Sequence, residues 1–309
     1  MPARRGLLPE GVQDPAGLAR LLADAGYFAD EGVATAAYLA LALPRPLFLE
    51  GEAGVGKTAL AHALATVVGA DLLRLQCYEG IDASQALYDW DFPRQLLHLR
   101  AAEASGTSAG TADRERLDAE VYSRRFLLAR PLLAALETTP AVLLVDEVDR
   151  ADDEFEAFLL EVLSDYTVTV PELGTVRAEV PPVVVVTSNR TREVHDALKR
   201  RCLYHWVEHP DFDREVEIVR KRVPEASAAL AEQVARAVAV LRGQDLLKPP
   251  GVAESIDWTQ ALVALGAERL DAGLATATLG AVLKYREDQA HAKRLDVQQM
   301  IQTAVMGGG

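Results

Sequence analysis

The chain has 309 residues, 50% of them hydrophobic, which is enough apolar material for one large domain or two modest ones. Its formal net charge of −14 disfavours a general affinity for nucleic-acid phosphates, so a DNA or RNA partner is not expected. The two cysteines have no metal-like spacing, and neither a signal-peptide core nor a membrane-length apolar run is present. We therefore expect a cytoplasmic protein with reduced thiols and no membrane partner.

The first part of the chain is predicted to be helical. Leu, Ala and Tyr residues recur at helical spacing over residues 15–25 and 31–43. Tyr27 and Phe28 lie between these two helices. Their rings either line an adenine pocket or pack in the core, and the sequence leaves both interpretations open.

A match to the phosphate-loop pattern G-x-x-x-x-G-K-[ST] follows the apolar run at residues 46–49 and precedes a helix-forming stretch at residues 59–68. The matching residues are Gly51, Glu52, Ala53, Gly54, Val55, Gly56, Lys57 and Thr58. In this context the glycines turn backbone N–H groups toward a phosphate, and the helix adds its positive N-terminal dipole. We expect Lys57 to reach the β- and γ-phosphates of ATP and the Thr58 hydroxyl to ligate Mg²⁺.

Residues 72–77 are predicted to form a second strand, and residues 93–104 an amphipathic helix with Leu96, Leu97 and Leu99 on one side. The low-complexity stretch at residues 105–113 is typical of a surface loop. Residues 114–137 are then predicted to be helical.

A second chemical motif ends the apolar run at residues 142–145 with the two acids Asp146 and Glu147. A buried parallel strand presents acids in this way at its carboxyl end, as in the Walker B pattern. Asp146 is expected to hold Mg²⁺ through water. Glu147 is expected to orient and polarise the attacking water, because phosphoryl transfer depends mostly on positioning and charge.

Alternating residues at 166–170 and 175–180 predict a β-hairpin around Pro171 and Gly174. Another buried strand follows at residues 182–187 and leads to Asn189. This amide either touches the γ-phosphate or the attacking water, or caps the next helix.

The phosphate loop, the acids at 146–147, the hairpin before Asn189 and residues 198–202 together resemble an AAA+ ATPase, over residues 27–209. Within that superfamily, residues 146–151 are similar to the MoxR group, and residues 77–82 and 88–97 resemble its CoxD-type branch. The resemblance implies an α/β P-loop NTPase core with a parallel sheet flanked by helices and a β-hairpin insert, followed by a small all-helical lid. The implied domains are residues 1–208 for the core and 209–309 for the lid.

The same resemblance implies roles for individual residues. Asn189 corresponds to sensor 1, and Arg201 to the arginine finger that acts on the ATP of a neighbouring subunit, with Arg200 as the alternate. Such a finger implies a homo-oligomeric ring, expected to be a hexamer. Three aromatic residues of the CoxD-like segment either grip a client protein at the ring axis or pack in the core; they are Tyr78, Tyr88 and Trp90.

The lid is predicted to contain helices at residues 212–222, 227–242 and 258–269, with Asp257 as the N-cap of the third, and to be completed by residues 274–291 and 296–305. In MoxR relatives an arginine of the lid serves as sensor 2. Residues 254–261 contain no arginine at the corresponding place, so no sensor 2 residue is assigned.

The expected function is Mg-dependent ATP hydrolysis that drives the remodelling or maturation of a partner protein. The resemblance implies a metalloenzyme client of the molybdenum hydroxylase or carbon monoxide dehydrogenase type, together with a von Willebrand factor A partner. The alternative is an ATP-binding regulatory or scaffold module with little turnover. A nucleic-acid translocase is disfavoured by the negative charge.

Overall fold

The computed structural model describes residues 7–104, 116–117 and 119–294. These residues form two compact units. The first, here called the sheet unit, contains the described residues of Met1–Pro15, Thr35–Leu49 and Leu64–His205. The second, the helical unit, contains those of Ala16–Ala34, Glu50–Ala63 and Trp206–Gly309. The predicted domain boundary between residues 208 and 209 stays a prediction.

The regular elements are numbered in chain order. The strands are β1 (Leu47–Glu50), β2 (Asp71–Gln76), β3 (Tyr88–Trp90), β4 (Leu127–Ala129), β5 (Ala141–Asp146), β6 (Thr167–Val170), β7 (Gly174–Arg177), β8 (Val183–Ser188) and β9 (Leu203–Trp206). The labelled helices are α1 (Pro15–Asp24), α2 (Glu31–Ala42), α3 (Lys57–Val68), α4 (Ala83–Leu87), α5 (Phe92–Ala104), α6 (Pro131–Glu137), α7 (Asp153–Asp165), α8 (Asp196–Arg201), α9 (Phe212–Arg222), α10 (Ala228–Arg242), α11 (Val252–Ala264), α12 (Ala272–Val282) and α13 (Arg286–Arg294).

The sheet unit is built on a five-stranded parallel sheet with the order β2-β5-β8-β1-β9. Strands β5 and β8 are inner strands and pair in parallel, with every residue of both strands buried. A strand covered on both faces needs an unbroken apolar run rather than an alternating pattern. The sequence supplies such runs at the predicted positions, so the central strands and the α/β fold class are confirmed.

The predicted hairpin is also confirmed. Strands β6 and β7 pair antiparallel, from Thr167 opposite Arg177 to Val170 opposite Gly174. Gly174 has a φ of +82°, a left-handed conformation that glycine adopts without strain. The hairpin packs on the sheet unit's core through Val168 and Val170.

The prediction of one helix over residues 114–137 is wrong. After a 3₁₀ turn at Arg124–Phe126, strand β4 pairs antiparallel with β3, and helix α6 begins at Pro131. Proline restricts the preceding residue to extended backbone, and Arg130 accordingly has a ψ of 170°. A new helix therefore starts at Pro131, where a missing N–H costs nothing. The predicted loop at residues 105–113 lies outside the described residues.

Helix α5 is present, but its predicted apolar face is not its buried face. Leu96 and Leu97 are exposed, whereas Gln95 and Ala102 are buried. The Gln95 side chain donates a hydrogen bond of 2.6 Å to the backbone oxygen of Val121, so its polar atom is satisfied inside the unit.

The helical unit packs α10, α11 and α12 around a second core that contains the fully buried Trp258. The prediction that Asp257 caps a helix over residues 258–269 is wrong, since α11 begins at Val252 and Asp257 lies within it. The stretch at residues 274–291 is divided between α12 and α13, and the predicted stretch at residues 296–305 lies outside the described residues. No helix within the described residues has the length and apolar composition needed to cross a bilayer.

Candidate functional site

The predicted site residues fall in both units, and each group is described within its own unit. In the sheet unit, Asp146 is the last residue of β5 and is buried. Its Oδ1 accepts a hydrogen bond of 2.6 Å from the Thr187 hydroxyl on β8. Its Oδ2 accepts from Nε and Nη2 of Arg74 on β2, at 3.1 and 2.6 Å. Both neighbouring strands therefore orient this carboxylate.

Glu147 follows Asp146 in a left-handed backbone conformation, with φ +55° and ψ +51°. A glutamate rarely adopts this conformation, and such strain persists only where surrounding contacts hold it. Here the backbone N–H of Glu147 donates to the Thr187 hydroxyl at 2.9 Å. The Thr187 hydroxyl thus fixes both acids, because it donates to one carboxylate and accepts from the backbone of the other residue.

The Glu147 carboxylate is held by side chains from three directions. Oε1 accepts a hydrogen bond of 3.1 Å from the Asn189 amide. Oε2 accepts from the Gln76 amide at 3.1 Å and forms an ion pair of 2.9 Å with Nε of Arg150. The structure therefore brings together Glu147 and Asn189, which the sequence placed on different strands.

Asn189 is positioned by the buried Asp149. One oxygen of Asp149 accepts the backbone N–H of Asn189 at 3.1 Å, and the other accepts the N–H and hydroxyl of Thr191 at 2.9 and 2.6 Å. The backbone after β8 is therefore fixed to the turn after β5, and the Asn189 side chain points to Glu147 rather than to a helix end.

Five residues around these acids were missed as site residues by the sequence prediction; they are Arg74, Gln76, Asp149, Arg150 and Thr187. Asp149 and Thr187 lie within motifs that the prediction did identify, and a polar residue inside an apolar strand was the available signal for Thr187. Arg74 and Gln76 gave no such signal, because their role depends on the register in which β2 pairs with β5. That register places Gln76 opposite Asp146.

The acids change the chemistry of a neighbouring thiol. Burial raises the pKa of Cys77 to about 12, and the negative charges of Asp146, Asp149, Glu147 and Glu156 raise it in the same direction. Cys77 is therefore a protonated packing residue rather than a nucleophile.

In the helical unit, the phosphate loop carries Gly54 and Gly56 in left-handed conformations, with φ of +82° and +98°. Helix α3 begins at Lys57, as the motif requires. The Lys57 ammonium is buried and donates to the backbone oxygens of Gly51 and Glu52 at 2.8 and 2.6 Å. The loop is thus folded over its own lysine.

Two contacts of the loop with other parts of the helical unit explain its glycines. A Cβ atom on Gly51 would lie 2.4 Å from the backbone oxygen of Val207, and a Cβ on Gly54, whose φ is +82°, would lie 3.3 Å from Cα of Gly251. In turn, a Cβ on Gly251 would lie 2.9 Å from the backbone oxygen of Ala53. The N-terminus of α11 therefore packs closely against the phosphate loop.

Tyr27 and Phe28 belong to the helical unit as well. The Tyr27 ring lies 3.6 Å from the position of a Cβ on Gly56, which places it beside the phosphate loop. Burial raises the pKa of its hydroxyl, and the charge of Asp30 adds to the shift. Phe28 lines a cavity of about 380 Å³ together with Arg214. Whether either ring contacts adenine stays a prediction.

The two candidate finger residues have different surroundings in the sheet unit. Nη2 of Arg201 donates to the backbone oxygen of Ser164 at 2.6 Å, at the end of α7. Arg200 is 82% exposed and lies 3.3 Å from Asp196, its i−4 neighbour on α8. Neither contact tests a role in a neighbouring subunit, so both assignments stay predictions.

The three aromatic residues with open interpretations lie around one cavity. Tyr78 is exposed, whereas Tyr88 and Trp90 are partly buried and pack against the core of the sheet unit. Their rings meet edge to face, with centroids 5.9 Å apart. Tyr88 and Trp90 therefore pack against the core and also line the cavity, whereas contact of any of the three residues with a client stays a prediction.

Within the described ranges, no group of three or more His, Cys, Asp and Glu side chains is arranged to hold a metal ion. A Mg²⁺ ion bound to a nucleotide needs fewer protein ligands, since phosphate oxygens and water supply the others. The hydroxyl of Thr58 and the carboxylate of Asp146 are oxygen donors of the kind that Mg²⁺ prefers.

Comparison with known proteins identifies the family. The model for the AAA domain, dynein-related subfamily, matches residues 46–202. No curated protein sequence matches the chain.

Similar solved structures include the Holliday junction branch migration motor RuvB of Thermotoga maritima, with 17% identity, a TM-score of 0.42 and coverage of 76% of this chain and 61% of that chain. A proline-to-glycine variant of the same protein has 16% identity, a TM-score of 0.46 and coverage of 92% and 75%. The chain therefore spans about three fifths of the length of the first of these proteins. At these identities the likeness concerns the fold alone.

The family match covers more than half of the chain and contains both the phosphate loop and the acids at the end of β5. The chain belongs to the dynein-related subfamily of AAA domains.

Proposed function

We propose that this protein hydrolyses ATP with Mg²⁺ and couples the reaction to the remodelling or maturation of a partner protein. The observation that carries the proposal is the environment of the Glu147 carboxylate. Asn189, Gln76 and Arg150 hold this carboxylate. The backbone of Glu147 also has a left-handed conformation that a glutamate rarely adopts. A carboxylate fixed in this way can orient and polarise an attacking water.

Within the sheet unit, the order of the strands supports a shared position for the polar residues that follow β5 and β8. Strand β8 lies between β5 and β1 in the sheet. Asp146 ends β5 and Asn189 follows β8, so both lie at the carboxyl ends of neighbouring parallel strands. In open parallel sheets, ligands bind beyond the carboxyl ends of the strands.

The roles of the remaining residues follow from their chemistry. Lys57 would bind the β- and γ-phosphates, and the backbone N–H groups of the glycine-rich loop would bind the others. Thr58 and Asp146 would hold Mg²⁺, which neutralises the charge that develops on the phosphates. Asn189 would position both Glu147 and the attacking water.

The ATPase proposal is tested by Glu147→Gln. The amide keeps the shape of the side chain and loses the charge that polarises water, so we expect retained ATP binding and much slower turnover. Glu161→Gln is the matched control, because Glu161 is an exposed acid on α7. A Glu147→Gln variant with the turnover number of the wild type would refute the role of Glu147.

We further propose that the protein acts as a hexameric ring with Arg201 as the finger and Arg200 as the alternate. If the finger serves the neighbouring subunit, Arg201→Ala and Lys57→Ala affect different halves of a composite site. Mixing the two inactive variants under conditions of subunit exchange should then restore part of the ATPase activity. Failure to restore activity, or full activity in dilute monomer, would contradict a finger that acts in trans.

The partner proposed is a metalloenzyme of the molybdenum hydroxylase or carbon monoxide dehydrogenase type, assisted by a von Willebrand factor A protein. Its support is the resemblance of residues 77–82, 88–97 and 146–151 to the MoxR group and its CoxD-type branch. The Glu147→Gln variant should hold its client longer than the wild type does. Mass spectrometry of proteins that co-purify with that variant, compared with Lys57→Ala, would identify the client or exclude this class.

A further inference from the structure

A cavity of about 620 Å³ lies in the sheet unit at the carboxyl end of β2. Its walls come from the end of β2, the turn and short helix that follow, strand β3 and the start of α6. The lining residues that matter here are Arg74, Gln76, Tyr78, Tyr88, Trp90 and Arg130. The proposed ATP hydrolysis assigns no ligand to this cavity.

One part of the cavity wall is aromatic and fixed. Trp90 is held between Tyr88 and Tyr122 by edge-to-face contacts, with ring centroids 5.9 and 5.4 Å apart. The Tyr78 hydroxyl donates to the Gln85 side chain at 2.8 Å. Rigid aromatic surfaces of this kind bind apolar side chains at a low cost in conformational entropy.

The other part of the wall carries two guanidinium groups. The side chains of Arg74 and Arg130 are 52% and 50% exposed. Arg130 forms an ion pair of 3.1 Å with Asp89, whose side chain is 51% exposed. An ion pair this exposed is weak, so the guanidinium can turn to another carboxylate at little cost.

Arg74 retains donors for a ligand. Its Nε and Nη2 donate to Asp146 and its Nη2 also donates to Gln76, but no described residue accepts a hydrogen bond from its Nη1. A guanidinium carries five N–H donors in a planar fork that matches the geometry of a carboxylate. The cavity thus combines Arg74 and Arg130 with one acid, Asp89, and an aromatic wall. Two arginines against one acid stand out in a chain whose net charge is −14.

We propose that this cavity binds an acidic peptide segment of a partner protein, with a carboxylate on Arg74 and Arg130 and an adjacent apolar side chain on Tyr88 and Trp90. The charge of the two arginines selects the carboxylate, and the aromatic wall selects its apolar neighbour. A basic segment would bring its charge against both guanidinium groups and is excluded.

The same arginine connects the cavity to the acids of the site. Arg74 contacts Asp146 directly, and Gln76 bridges Arg74 to Glu147 with bonds of 2.6 and 3.1 Å. A ligand carboxylate on Nη1 would therefore share the positive charge of one guanidinium with Asp146. Because coupling between two sites is reciprocal, a change that frees Arg74 from Asp146 tightens ligand binding. The coupling rests on the proposed ATPase function, whereas the binding of the acidic peptide does not.

The test measures binding of a fluorescein-labelled hexapeptide of alternating glutamate and phenylalanine by fluorescence anisotropy, without nucleotide. A peptide with glutamine in place of glutamate keeps the shape and removes the charge. We expect the glutamine peptide to bind the wild type at least about tenfold more weakly, the loss of one charge-assisted hydrogen bond. Arg130→Gln should weaken binding of the glutamate peptide to a similar degree.

Arg125→Gln is the matched control, since Arg125 is 55% exposed and lies outside the cavity. It should leave the affinity unchanged. Equal affinity for the two peptides, no measurable binding, or equal effects of Arg130→Gln and Arg125→Gln would overturn the proposal. If free N-acetylphenylalanine displaces the labelled peptide as strongly as the unlabelled peptide does, the assignment of the cavity to a peptide is wrong.

The coupling has its own measurement. Asp146→Asn removes the charge that holds Arg74, so the glutamate peptide should bind about three- to tenfold more tightly, less than a full charged hydrogen bond because Arg74 is half-exposed. Unchanged affinity in Asp146→Asn would refute the coupling. These readouts need no ATP, so a protein that binds the peptide but does not hydrolyse ATP would refute the proposed function alone.

Discussion

The Thr187 hydroxyl is the most informative group to remove. It donates to Asp146 at 2.6 Å and accepts the backbone N–H of Glu147 at 2.9 Å, and its side chain is buried. Thr187→Val keeps the shape and deletes both hydrogen bonds. The loss of a buried hydrogen bond to a charged group costs roughly 1.5 to 3 kcal/mol. If the whole loss falls on the transition state, kcat decreases roughly 10- to 150-fold.

The assay compares kcat and nucleotide affinity in Thr187→Val, Thr187→Ser and the wild type, with thermal unfolding as a check on folding. Thr187→Ser retains the hydroxyl and should retain most of the activity. Thr259→Val is the matched control, because Thr259 is buried in the helical unit and donates to the backbone oxygen of Ser255 at 2.7 Å. That variant should lose some stability and keep its kcat.

The prediction separates positioning from packing. A positioning role requires kcat per folded molecule to decrease while nucleotide affinity changes little, even if the variant loses as much stability as Thr259→Val does. Full kcat in a folded Thr187→Val variant would show that other contacts alone maintain the geometry of Asp146 and Glu147. A decrease in kcat that only parallels the loss of folded protein would show that Thr187 is a packing residue.

Two further predictions concern stability and thiol chemistry. The buried Glu215 accepts two hydrogen bonds of 2.6 and 2.8 Å from Arg242. Arg242→Ala leaves this carboxylate without its cation and should destabilise the helical unit by about 3 to 5 kcal/mol in thermal unfolding. An unfolding curve like that of the wild type would contradict this. Burial raises the pKa of both Cys77 and Cys202 to about 12, so both thiols are protonated at pH 8. A thiol reagent should therefore modify them only after denaturation. Rapid labelling of the native protein would contradict this.

The sequence was most informative where a segment is buried on all sides. The apolar runs of β5 and β8 can only be accommodated as inner strands, and the acids and amide that follow them come together for that reason. The phosphate loop was equally clear, because its glycines and lysine have fixed spacing. These two patterns were enough to predict the fold class and the main candidate residues.

Contacts that depend on strand register could not be predicted. Arg74 and Asp146 are 72 positions apart, and they meet because β2 pairs with β5 in one particular register. A shift by one residue would turn Arg74 to the other face of the sheet. No local pattern in residues 71–76 encodes this choice, so the arginine beside Asp146 emerges only from the structure.

Errors in the helical segments have a different cause. Asp257 satisfies the rule for an N-cap, but the helix had already begun at Val252, with Glu254 accepting the backbone N–H of Gly251 at 2.9 Å. A glutamate that folds back in this way stabilises a helix start as an aspartate N-cap does. Two competing start signals within seven positions cannot be ranked from the sequence, since tertiary packing decides between them.

The start of α11, where the resemblance to MoxR relatives implies a sensor 2 arginine, carries Glu254 against the phosphate loop instead. Gly54 occupies a variable position of the phosphate-loop pattern, yet a Cβ there would lie 2.9 Å from Oε2 of Glu254 and 3.3 Å from Cα of Gly251. The loop and the helix are thus fitted backbone to backbone, with a carboxylate at the contact. A carboxylate cannot attract a γ-phosphate as an arginine does. The backbone contact requires both glycines, because Gly54 has a φ of +82° and a Cβ on Gly251 would lie 2.9 Å from the backbone of Ala53 and Gly54.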